Sequence, residues 1–199
     1  MLVTNIFSII VSLYAVFHTS EEYGLNNEEK KAIVKAHNKY RSWVKPTATD
    51  MLKMNWNDDA ARNAQDVASS CTGYHSHPSK RTIKKPSYLN CGENIYMSTA
   101  KDDWEEVIKD WHDEVFDFVY GRGAKKPHAA IGHYTQLVWA NTSCVGCGMA
   151  ECGGSFPYVF ICHYCPAGND ARMMATPYCK GKPCSACKGK CEDNLCIKR

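Results

Sequence analysis

Two histidines and two glutamates occupy segments that are otherwise small or apolar. Glu114 falls on the stripe of a predicted helix that also carries Trp104, Val107, Ile108, Trp111, Val115 and Phe118. Its carboxylate therefore faces inward or sits at the border of the buried face, and a buried acid needs partners. The candidates are His75 after Cys71-Thr72-Gly73-Tyr74, Glu93 in Cys91-Gly92-Glu93-Asn94, and His133 in Gly132-His133-Tyr134-Thr135-Gln136. Two imidazoles and two carboxylates around one cleft could hold a divalent metal, with the acids as ligands or orienting groups. They could also move a proton or activate a nucleophile. A hydrogen-bond network that only braces the core is the third reading, and these four residues alone leave all three open. The HExxH arrangement of zinc peptidases is absent, since His112-Asp113-Glu114 does not supply it.

Several elements must position these groups. Asn26-Asn27-Glu28-Glu29 offers caps and early acids ahead of Ile33, Val34, His37, Tyr40 and Val44, which recur at helical spacing. A second helix is predicted from about Asn57, carrying Ala60, Ala61, Ala64, Val67 and Ala68, small enough to pack closely on a neighbour. Residues 76–90 read as a loop. The third helix is predicted from about Asp102 to Tyr120, stopped by Gly121-Arg122-Gly123. Two runs, Val145 to Glu151 and Phe156 to Tyr164, flank Gly153-Gly154 as a hairpin. Helices that outnumber late, bunched strands predict an α+β fold.

The twelve cysteines are unevenly placed: none in the first 70 residues, seven from Cys71 to Cys165, five from Cys179 to Cys196. That pattern points to an oxidising compartment and to a module with a bridged core followed by a dense knot. The apolar run from Leu2 to Phe17, with no charge before Glu21, is short for a membrane span and reads as a signal peptide over residues 1–20, cut between 15 and 20. The remaining chain is expected to make no stable membrane insertion and, outside the cell, to meet no nucleic acid. Residues 179–199 hold six Lys/Arg against two acids. This basic tail, with Lys180, Lys182, Lys188 and Lys190, suits an anionic surface such as a sulfated glycan or lipid headgroups, or serves only solubility. Asn141-Thr142-Ser143 is the one N-glycosylation sequon.

Gly132-His133-Tyr134-Thr135-Gln136-Leu137-Val138-Trp139 resembles the first signature of the CAP superfamily, which groups cysteine-rich secretory proteins, antigen 5 and pathogenesis-related proteins. Tyr158 to Asn169 resembles the second. His37-Asn38-Lys39-Tyr40-Arg41, Leu52-Lys53-Met54-Asn55-Trp56, Cys91-Gly92-Glu93-Asn94-Ile95-Tyr96 and Trp111-His112-Asp113-Glu114 follow the same order. The resemblance implies an α-β-α sandwich over residues 27–170 and a cysteine-rich hinge over 171–199. It places the family's cleft residues on His75, Glu93, Glu114 and His133, with His75 and His133 as ligands of an optional zinc-like ion and His77 as a decoy. It implies the bridges Cys71–Cys152, Cys91–Cys165, Cys147–Cys162, Cys184–Cys191 and Cys187–Cys196. Cys144 and Cys179 are left over and are expected to pair, stapling the hinge to the sandwich.

Longer relatives continue into a channel-regulating domain, whereas this sequence stops at Ile197-Lys198-Arg199, so channel block is not expected. A sandwich with only a hinge is similar to an egg-jelly sperm attractant of this family. The resemblance therefore implies a secreted, non-enzymatic signal with no required cofactor, read by a sperm-surface receptor or glycan. Two alternatives stand beside it: a sterol or lipid carrier, and a metal-dependent hydrolase with Glu93 or Glu114 as base. The hydrolase has no evident serine or cysteine nucleophile, because six bridges would leave no free thiol.

Overall fold

The computed structural model describes residues 24–84 and 88–198. The expected signal peptide over 1–20 lies outside the described residues.

Helix α1 (Asn27–Ser42) starts at a capping box: the Asn26 side chain accepts from Glu28 N and Glu29 N, and Glu29 returns a carboxylate to Asn26 N. After the short strand β1 (Asn55–Trp56), Asn57 caps α2 (Asp58–Ser69) through Ala60 N at 2.8 Å. In the segment predicted as a loop over 76–90, the described residues are more ordered than its Ser, Pro and Lys content suggests. It holds a 3-10 turn (Pro78–Arg81) and a two-residue pairing of β2 (Thr82–Ile83) with β3 (Leu89–Asn90). Burial of Ile83 and the bond from Asn63 Nδ2 to Thr82 O pull it onto α2. Strand β4 (Gly92–Ser98) follows, then α3 (Trp104–Asp113).

The third helix ends earlier than predicted. At Glu114 the chain tightens into a 3-10 turn (Glu114–Asp117) and then becomes β5 (Phe118–Val119), which pairs with β6 (Gly123–Ala124). The apolar periodicity continues through this break because Phe118 is still buried, on a strand. Gly121 and Gly123, at φ of 82° and 90°, supply the left-handed backbone that closes the hairpin. Helix α4 (Gly132–Leu137) precedes β7 (Cys144–Glu151) and β8 (Tyr158–Cys165), the predicted hairpin.

The main sheet runs β1-β7-β8-β4, with β1 parallel to β7 and the other pairs antiparallel. Alternation along β8 divides the core. Val159 and Ile161 pack against Ala64, Val67 and Ala68 of α2. Phe160, Cys162 and Tyr164 face the other side, among Ile33 of α1 and Val107, Ile108 and Trp111 of α3. The fold is an α-β-α sandwich. The small residues of α2 are matched by glycines in β7: a Cβ on Gly146 would stand 2.2 Å from Ala61 N, and one on Gly148 would stand 2.5 Å from Gln65 Cα.

Arg41 locks the layers from inside. It is buried and donates to five carbonyl oxygens, on Leu52, Leu137, Trp139, Ala140 and Thr142. Burial lowers its pKa to about 9, so the guanidinium stays charged at neutral pH. It thereby satisfies carbonyls near the end of α4 that the short helix cannot.

Five disulfides are formed: Cys71–Cys152, Cys91–Cys165, Cys147–Cys162, Cys184–Cys191 and Cys187–Cys196. The expected Cys144–Cys179 bridge is not. Cys144 is a buried thiol at the start of β7, packed with Ala60, Ile83, Cys91 and Cys165, and donates to Cys165 O at 3.3 Å. Cys179 is an exposed thiol whose backbone N–H bonds Asp50. The two sit in different environments, and the hinge is stapled without them. Backbone bonds join Thr49 N to Cys179 O, Gly181 N to Thr47 O, Cys196 N to Met51 O and Lys53 N to Cys196 O. The hinge hairpin of β9 (Cys191–Glu192) and β10 (Leu195–Cys196) buries Leu195 in the main core beside Tyr178.

Candidate functional site

Glu93 lies on β4, directly opposite His163 on β8. Its side chain is 0% exposed. Four donors reach the carboxylate. His75 Nδ1 and Ser76 N each donate to Oε1 at 2.8 Å. Ser76 Oγ and His163 Nε2 donate to Oε2 at 2.6 and 3.0 Å. Arg81 Nη1 stands 3.8 Å away. Burial would raise the Glu93 pKa, but the bonds from His163, Ser76 and His75 outweigh it and hold the group at about 2. The ionised carboxylate can only accept, so His75 carries its proton on Nδ1 and His163 on Nε2. Burial lowers the pKa of His163, which therefore stays neutral. Its Nδ1 is buried without a partner among the described residues.

Glu114 ends α3 and reaches the start of α4. Its Oε2 accepts from His133 N at 2.8 Å and Tyr134 N at 3.0 Å, and His133 Nδ1 donates to Oε1 at 2.7 Å. The first-turn amides of α4 lack intrahelical partners, so a carboxylate is a natural cap there. This anchoring is why α3 gives way to a 3-10 turn at Glu114.

The structure thus builds two His–Glu pairs. They adjoin through β4: Asn94, the neighbour of Glu93, donates from Nδ2 to His133 O at 3.1 Å and to the Tyr164 hydroxyl at 3.2 Å. Consecutive strand residues face opposite sides, so the pairs flank the edge strand of the sheet. The side chain of His75 is 61% exposed and that of His133 34%. His77 is not part of this arrangement; it caps the 3-10 turn through Ser79. The role of His163 was missed from the sequence. Its position in an apolar strand was visible, but its placement opposite Glu93 depends on strand register.

With Nδ1 protonated and held by a carboxylate, each ring presents the lone pair of Nε2, the form a metal ligand requires. The carboxylates are already engaged and act as orienting groups. Among the described residues, the one group of three or more ligand atoms within 4.8 Å is Cys184, Cys187 and Cys196. All three are oxidised in bridges and offer no thiolate. The Ser76 hydroxyl donates to the Glu93 carboxylate, which its donors hold at a pKa of about 2 and so make a poor base for activating a nucleophile. The expectation that no free thiol remains is overturned by Cys144 and Cys179. Burial raises the pKa of Cys144, and the bond to Asp50 raises that of Cys179, so both are kept protonated. The lysines at 180, 182, 188 and 190 are exposed on the hinge, and Asn141 is exposed at its turn. No helix among the described residues is long and apolar enough to cross a membrane.

Comparison with known proteins gives the family and agrees with the fold. Residues 34–164 match the model of the cysteine-rich secretory protein family, CAP. The chain is 46% identical over 198 residues to Allurin of Xenopus tropicalis, covering 96% of each chain. It is 46% identical over 169 residues to Cysteine-rich secretory protein 2 of Homo sapiens, covering 84% of this chain and 68% of that one. Among solved structures it resembles NaASP2, crystallised with Zn2+, at 29% identity and a TM-score of 0.69, covering 88% of this chain and 98% of that one.

Proposed function

The chain belongs to the cysteine-rich secretory protein (CAP) family, and from that premise we propose that it is a secreted messenger of the egg coat that attracts sperm by surface recognition. The carrying observation is likeness along nearly the whole length, 96% of this chain and 96% of Allurin. Five disulfides and relatives named as secretory proteins suit an extracellular location. Recognition without turnover is favoured by two His–Glu pairs whose hydroxyl, imidazole Nδ1 atoms and carboxylates bond one another, and by thiols held protonated. The exposed hinge lysines are the surface offered to a sperm receptor or glycan, and Asn141 is the glycan acceptor.

His75 and His133 would hold a zinc-class ion through Nε2, with Glu93 and Glu114 fixing the rings. Such an ion would supply Lewis acidity or a crosslink between the two pairs. The bond pattern supports this assignment, since it leaves the metal-binding nitrogen of each ring open.

Sperm migration in a gradient of pure protein tests the proposal. Deleting the hinge is uninformative, because Leu195 and Tyr178 are core residues. The informative variant replaces Lys180, Lys182, Lys188 and Lys190 by Gln. Directed migration toward the wild type, reduced severalfold for the variant, is expected. Undirected motion toward wild type would refute the function, and equal migration toward both would refute the role of the hinge lysines.

A further inference from the structure

A groove of about 930 Å³ runs between α1, the segment around β1 and the hinge hairpin. It shares no residue with the two His–Glu pairs. Lys35 and Lys39 lie on its α1 wall, one turn apart and so about 6 Å along the helix axis. Neither makes an ion pair with another described residue. Lys30 and Lys53 add charge; their partners Asp58 and Glu192 are exposed, so these pairs are weak and exchangeable. Among the described residues lining the groove, Asp193 is the one acid.

Two indoles accompany the lysines. Trp43 is 60% exposed, an unusual state for so large an apolar ring, and Lys39 Nζ lies 5.0 Å from its centroid. Trp56 is fixed by a 2.9 Å bond from its Nε1 to Asp58, and Lys30 Nζ lies 5.8 Å over its ring. Flat aromatic faces set among point charges suit a ligand with C–H-rich ring faces and regularly spaced anions.

We propose that this groove binds a sulfated polysaccharide, with pyranose faces on Trp43 and Trp56 and sulfates on Lys30, Lys35, Lys39 and Lys53. A membrane surface fits less well. An amphipathic helix that lies on lipid shows its apolar side, whereas α1 buries Ile33 and Ala36 and turns its lysines outward. The site is distinct from the hinge lysines, so glycan binding and sperm attraction can fail separately.

The test is binding of the full-length protein to heparin by calorimetry at two salt concentrations. Two variants of equal net charge are compared, Lys35→Gln/Lys39→Gln in the groove and Lys101→Gln/Lys126→Gln outside both the groove and the hinge, together with Trp43→Ala. All five substituted residues are exposed, so the fold is retained. The groove pair should weaken binding at least tenfold and reduce its salt dependence, Trp43→Ala about fivefold, and the control pair less than threefold. Equal losses in the two lysine pairs would overturn the site. Unchanged affinity for desulfated heparin, or binding to phosphatidylserine vesicles without binding to heparin, would overturn the ligand class.

Discussion

Glu93 and Glu114 each hold one histidine through Nδ1, but their carboxylates are stabilised by different means. Glu93 is sealed inside and depends on three side chains from two segments: His75 and Ser76 from the loop after α2, His163 from β8. Glu114 is 14% exposed and depends chiefly on backbone amides at the start of α4. The first arrangement ties a loop to the sheet, and the second ties one helix to the next. Both leave an imidazole with a fixed ring and an open Nε2. The same residue pair therefore does two jobs at once: the acid braces the fold, and the histidine shows a defined face to solvent.

The largest difference should appear when the acids are removed. Glu93→Leu leaves His163 with both ring nitrogens unsatisfied in the core and strands the Ser76 donors, so it should cost about 3–5 kcal/mol in urea unfolding with disulfides intact. Glu114→Leu should cost about 1–3 kcal/mol, because the freed amides can take water at a partly open site. Equal losses would mean that the two acids are not distinguished by burial.

Acid should sharpen the contrast. The Glu93 pKa is depressed on folding, so its stabilising contribution is complete above the ordinary carboxyl range near ~4.3 and is lost as pH falls toward about 2. His37 is held at about 4 by burial, and burial also lowers His163. Their neutral forms stabilise the fold above the ordinary imidazole pKa near ~6.5, and that stability drains away as pH falls below it. Two stages of acid destabilisation are expected in urea unfolding, and Glu93→Gln should flatten the lower one. A variant that keeps the lower stage would assign it to another carboxylate.

The smallest effects belong to the histidines that show Nε2. His75→Ala and His133→Ala should each cost about 1 kcal/mol or less, as expected for partly exposed donors. In zinc titration by calorimetry each should weaken uptake at least tenfold. Full zinc uptake by the double variant would place the metal elsewhere.

Much of this was readable in the chain because it is local. The Asn26 capping box, the alanines of α2 and the Gly153-Gly154 hairpin each lie within a few residues of the feature they specify. The four His and Glu residues stood out as polar groups in small or apolar segments and were matched by a family pattern, whereas the five bridges came from that resemblance alone. What stayed hidden depends on distant contacts. Periodicity ran through Glu114 because Phe118 is buried on a strand as it would have been on a helix, and only the amides of His133 and Tyr134 explain the break. His163 becomes a partner of Glu93 through the register of β4 on β8. The hinge staple was assigned to sulfur because cysteines are visible in a sequence, whereas the backbone bonds from Thr49, Met51 and Lys53 to the hinge are not.

Under the proposed function these imidazole–carboxylate pairs shape the protein and perform no chemistry. The most direct test of that claim is sperm migration in a gradient of the folded His75→Ala/His133→Ala protein, with zinc chelated, at a concentration matched to wild type. Directed migration equal to wild type is the predicted result. Loss of attraction in a variant that keeps its fold and its glycan binding would contradict the account.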